Sequence, residues 1–129
     1  MKSASVWGCR RQAFTLVEIM IIVALIGLLA ALATPSFIKV RKQSQGKRVV
    51  SDARIIDAAI DSWSLETGKA DGETIDLAAA AQYTKLGTIN PVDLLGNDFQ
   101  IGVVGPTQLV ISATTKGALA GVGIDWGAY

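Results

Sequence analysis

AFTLVEIMIIVALIGLLAALATP (residues 13–35) decides the reading of this chain. From Phe14 to Ala33 it carries a single charge, Glu18, and no polar position recurs at helical spacing. At about 1.5 Å per residue such a helix spans a hydrocarbon layer of roughly 30 Å. A helix that is apolar all round belongs in lipid or in a protein interior, because no face of it suits water. A carboxylate inside it costs about 2.5–3.5 kcal/mol on insertion scales, so Glu18 needs a reason.

Upstream stand Lys2, Arg10 and Arg11, and the only cysteine, Cys9. Three readings fit this opening. A conventional secretory signal peptide would use the basic residues as its n-region and Ala31-Leu32-Ala33 as its small-residue cleavage site, leaving Thr34 at the new terminus. A plain membrane anchor would use the apolar run alone. Both describe an exported or anchored globular binding module, and neither explains Glu18. The third reading cuts the chain between Ala13 and Phe14. That cut creates an α-ammonium four residues before Glu18, a cation for the carboxylate to pair with.

Ala13-Phe14-Thr15-Leu16-Val17-Glu18 and the apolar run through Pro35 resemble the leader and first helix of type IV pilins and type II secretion pseudopilins. In that resemblance Phe14 matches the N-methylated first mature residue and Glu18 the acidic fifth. Gly27 matches a mid-helix packing glycine, and Pro35 the proline that follows the membrane helix and bends it. The residue before the cut is usually glycine, and here it is Ala13. The resemblance implies a prepilin peptidase that removes residues 1–13 and methylates Phe14. It implies a subunit held in the bacterial inner membrane, then polymerised as a homo-oligomer or in a mixed filament with other pilins. There Glu18 would pair with the Phe14 terminus of a neighbour. An assembly platform protein and a motor ATPase are its implied partners. The leader would be cytoplasmic and the C-terminal domain periplasmic before assembly into a periplasmic or cell-surface filament. A count of basic residues, three before the span and Lys39, Arg41, Lys42, Lys47 and Arg48 after it, favours the opposite orientation. The leader motif takes precedence because the peptidase needs the leader on the cytoplasmic side.

Past Ser36 the pattern becomes amphipathic. Val49, Ala53, Ile56, Ile60 and Trp63 fall on one helical face, and Thr67-Gly68 supplies a stop. Pro35 and Gly46 are the places where this long helix is expected to bend or melt. Basic residues 39–48 precede Asp52, Asp57, Asp61 and Glu66, so staggered neighbours would bring opposite charges together, as with Arg48 and Asp57. Thr74 or Asp76 caps a short helix through Tyr83, and Leu86 to Asn97 is loop. Alternation over Phe99–Val104 and Leu109–Ala113, broken at Gly105-Pro106, predicts a hairpin; Ile124 and Trp126 suggest a last strand in a Gly-rich tail.

The expected organisation is therefore a leader (1–13), a transmembrane and filament-core helix (14–35) and a small soluble domain (36–129). The fold class is α+β and pilin-like: the C-terminal half of a long N-terminal helix packs against a small antiparallel sheet. The absence of histidine removes the commonest general base and metal ligand, so the expected role is structural and not enzymatic. Asp93, Asp98 and Asp125 offer hard oxygens for calcium, as some major pseudopilins do, without a recognised loop signature; no other cofactor is expected. The 12 basic and 11 acidic side chains nearly balance. Trp63, Tyr83, Trp126 and Tyr129 are not interleaved with cations, so no nucleic-acid partner is indicated.

Overall fold

The computed structural model describes residues 14–129. Its elements are α1 (Leu16–Thr67), α2 (Leu77–Ala80) continued by a 3-10 turn (Ala81–Tyr83), β1 (Gln100–Ile101), β2 (Leu109–Val110) and α3 (Ala113–Ala118). The chain divides into two compact units at Ser36 and Phe37.

In the first unit, Thr15 starts α1: its hydroxyl oxygen accepts the Glu18 amide at 3.2 Å, and its carbonyl accepts the Ile19 amide at 3.3 Å. Every residue from Phe14 to Ser36 is exposed. The expected melting at Pro35 does not occur, and α1 continues through it. Pro35 lacks an N–H for the carbonyl four residues back.

The second unit holds the core. Ala59 and Ser64 are buried on α1, and so are Val49, Ala53, Ile56, Ile60 and Trp63, the residues that the spacing predicted, with Val50 beside them. Val49, Val50, Ala53, Ile56, Ile60 and Trp63 pack with Ala80, Phe99, Val104, Leu109 and Ile111, and Ile60, Leu109, Ile111 and Val49 are fully buried. Burying each such aliphatic side chain is worth about 1.5–3 kcal/mol, so this face of α1 organises the unit. The helix ends as predicted. Gly68 adopts φ 66°, and the Lys69 amide reaches back to the Ser64 carbonyl at 2.8 Å, closing a Schellman motif. Gly46 does not melt the helix either. A Cβ there would lie 2.1 Å from Ile124 Cδ1, so the missing side chain is the seat for Ile124.

Of the two proposed caps for α2, Asp76 is used, accepting the amides of Ala78 and Ala79 at 3.0 and 3.2 Å. The hairpin forms antiparallel, with Gln100 opposite Val110 and Ile101 opposite Leu109, but it is shorter than alternation predicts. On one arm the chain peels away to another partner: Thr74 bridges Val103, and the Val104 amide donates to the Glu73 carbonyl at 2.9 Å. On the other, the Ser112 side chain accepts the Thr114 amide and starts α3, so Ala113 is helical and not strand.

Ile124 and Trp126 form no strand. Gly121, Gly123 and Gly127, all at positive φ, fold this segment into turns instead. The tail is pinned by its last residue. The Tyr129 hydroxyl donates to Asp57 Oδ2 at 3.1 Å, and Lys116 Nζ donates to the Tyr129 carbonyl oxygen. Burial, then the hydrogen bond to the Asp57 carboxylate, raises the Tyr129 phenol above its ordinary value of 10.0. The fold thus favours the neutral phenol. Its contribution is complete below the unfolded-state value and is lost as pH rises through the folded one. Tyr129→Phe is expected to lower stability by about 1 kcal/mol at neutral pH and to flatten the alkaline decline. Urea midpoints from about pH 8 to about pH 11 check this; parallel curves for the two proteins would contradict it.

Candidate functional site

The residues singled out by the sequence fall into two groups. At the start of α1, Phe14 is 72% exposed and Glu18 is exposed one turn further along. Ala13, the other side of the expected cut, lies outside the described residues. Thr15 was overlooked in that reading, although Thr15-x-x-Glu18 is the spacing of a capping box and would have revealed it. Its hydroxyl fixes the Glu18 amide, so the carboxylate leaves the helix in its third residue, where the helix dipole favours an anion.

The apolar segment is long enough to cross a bilayer, and none of its most apolar stretch is buried within the chain. The core helix of a soluble domain would be mostly covered. Around Gly27 an added Cβ would meet nothing within 4 Å, so the glycine leaves a notch on a bare helix, a shape that lets a second helix approach closely.

The second group does not converge. Asp93 is buried, and its carboxylate is occupied from within. Oδ1 accepts the amides of Leu95 and Asn97 at 2.8 and 2.9 Å, and Oδ2 accepts the Thr115 hydroxyl. Asn97 Nδ2 donates to Thr115 Oγ1 at 3.0 Å and closes the network. Asp125 accepts the Gly127 amide at 3.0 Å, and Asp98 stands in a bridge with Val92. Among the described residues no three Asp, Glu or Cys side chains gather as a metal site.

The acidic stretch of α1 is also engaged. A cleft of about 410 Å³ is lined by Asp57, Asp61, Asp71 and Gln108. Gln108 Nε2 donates to Asp57 at 2.8 Å and to Asp61 at 2.7 Å, tying the hairpin loop to the helix. Asp57 therefore serves Gln108 and Tyr129, whereas Arg48 is exposed.

A family model for the prokaryotic N-terminal methylation motif matches residues 9–34. The chain is similar to type II secretion system core protein G of Klebsiella michiganensis, 31% identical over 114 residues that cover 77% of this chain and 79% of the relative. Core protein G of Klebsiella pneumoniae is 29% identical over 104 residues, 71% of this chain and 74% of the relative. Type IV major fimbrial protein FimA of Dichelobacter nodosus is 43% identical over 61 residues, 47% of this chain and 38% of that protein. No solved structure matches the chain. The extent of the first of these alignments, with the methylation motif over residues 9–34, shows that the chain belongs to the family of type II secretion pseudopilins and type IV pilins.

Proposed function

We propose that this chain is a structural subunit of a type IV pilus or a type II secretion pseudopilus, and that residues 14–35 serve first as its membrane anchor and then as filament core. One observation carries the reading: an α1 segment apolar and exposed on every side, inside the span that the methylation motif matches, whose single charge, Glu18, stands four residues after Phe14, the terminus that this reading assigns. The subunit waits in the inner membrane with residues 1–13 cytoplasmic and 36–129 periplasmic. A prepilin peptidase cuts between Ala13 and Phe14 and methylates Phe14. The platform protein and motor ATPase then move the subunit into the fibre. Glu18 pairs there with the Phe14 ammonium of a neighbour, which sets the axial register, since any other stagger leaves both charges unpaired in an apolar interior. Gly27 admits the neighbouring helix.

Intact-mass and N-terminal analysis of the chain co-expressed with a prepilin peptidase tests this. The expected product begins at Phe14 and carries one added methyl group. A product beginning at Thr34 would show a signal peptide and an exported globular module instead.

A further inference from the structure

From Ile19 to Ser51 the chain has no acidic residue, yet Lys39, Arg41, Lys42, Lys47 and Arg48 all fall there. Lys39, Arg41, Lys47 and Arg48 are exposed and Lys42 is half-buried. The one ion pair among the described residues is Lys69 with Glu73, so within them none of the five is neutralised. Between and before the first of these cations stand Phe37, Ile38 and Val40, which are 69%, 51% and 63% exposed. Solvated charge alone does not account for three large apolar side chains left in water beside it.

The segment starts two residues after Pro35, where the apolar run ends. From Phe37 to Lys42 the helix rises only about 8 Å, comparable to the Debye length at physiological salt. If residues 14–35 span the bilayer, these side chains sit at its surface: the apolar ones at the depth of the acyl boundary, the cations at the depth of the phosphates. We propose that Lys39, Arg41 and Lys42, with Phe37, Ile38 and Val40 among them, form a binding surface for anionic phospholipid headgroups in the leaflet where the apolar helix emerges. This rests on the membrane-inserted reading given above. The rival occupant is the acidic stretch of a second copy; it would pair with the cations but gives no partner to Phe37, Ile38 and Val40, which the lipid reading does. The surface also gives a use to cations whose number opposes their own translocation.

The test is spin-label lipid association with the full chain reconstituted in phosphatidylcholine vesicles, probed with spin-labelled phosphatidylglycerol or spin-labelled phosphatidylcholine. Wild type is expected to hold the anionic probe in preference, and the preference is expected to collapse at about 1 M salt, where screening is within roughly 3 Å. The variant K39Q/R41Q/K42Q is expected to reduce it at least fivefold, about the weight of one cation near an anionic surface. K39R/K42R is expected to retain it. The basic residues of the leader are common to all these chains, so the difference between them reads residues 39–42 alone. Equal association of both probes, or an unchanged preference in the triple variant, overturns the inference while leaving insertion intact. So does a triple variant that loses chemical crosslinking between copies in pure phosphatidylcholine, with no lipid preference in wild type; that result assigns the cations to a second copy. A chain stripped from the vesicles by alkaline carbonate refutes insertion itself, a separate outcome.

Discussion

Glu18→Gln is expected to leave the subunit fully inserted in the membrane and to reduce sheared or sedimented filaments to about 1% of wild type or less. The two halves of this result come from opposite sides of one energy. In lipid, the carboxylate opposes insertion by about 2.5–3.5 kcal/mol, so its amide inserts at least as well. In the filament as proposed, the amide leaves a neighbour's Phe14 ammonium without its anion in an apolar core. Removing one partner of a buried ion pair costs about 3–5 kcal/mol, a factor of roughly 10² to 4 × 10³ in the equilibrium for adding a subunit. Glutamine is the informative replacement because Thr15 caps α1 and the third helical position accepts Gln as readily as Glu. A capping role alone would therefore survive the change. Carbonate-resistant membrane fraction and filament yield, measured on the same cells, separate the alternatives. Wild-type filament yield from Glu18→Gln would refute the pairing with Phe14 and leave Glu18 as a helix-start residue. Glu18→Asp, one methylene shorter, is expected to fall between.

What the sequence made legible was set by how local each cause is. The buried face of α1 could be read from Val49 to Trp63 because each turn repeats the same choice, and the turn at Gly68 because only a left-handed residue closes a Schellman motif. The start of α1 was equally local, since Thr15 and Glu18 stand three residues apart, although the pair was passed over. The hairpin was read too long because alternation counts side chains and not hydrogen-bond partners. Val103 and Val104 alternate like strand residues but pair with Glu73 and Thr74, and Ala113 suits a strand end as well as the first turn of α3. Gly46 was read as a weak point because the window around it contains nothing that needs the space; Ile124 does, from the far end of the chain. The expectation placed on Phe14 and Glu18 came from within the run itself, where a lone charge is an anomaly. Asp93 was legible in part: a carboxylate that caps its own turn, as the amides of Leu95 and Asn97 show. Its sequence context shows a carboxylate in a turn, while the group that occupies half of it, the Thr115 hydroxyl, comes from another element.

That network sets the second large expectation. Asp93→Ala is expected to destabilise residues 37–129 by about 3–5 kcal/mol, because the amides of Leu95 and Asn97 and the hydroxyl of Thr115 all lose their acceptor at a buried position, each at about 1–3 kcal/mol with partial relaxation. For a unit of this size the melting temperature falls by on the order of 20 °C. Thr115 is fully buried, so Thr115→Val keeps the shape and strands only Asp93 Oδ2 and Asn97 Nδ2; about 1–3 kcal/mol is expected. The two losses are coupled. Thr115→Val should cost little in a chain that already carries Asp93→Ala, and a double-mutant cycle on urea midpoints measures that interaction. Additive losses would mean that the residues act separately. Repeating the cycle with calcium and with a chelator distinguishes the hydrogen-bond network from a metal ligand. If Asp93 acts through the network, the deficit of Asp93→Ala is the same in both; if it acts by holding calcium, chelator destabilises wild type and the deficit disappears.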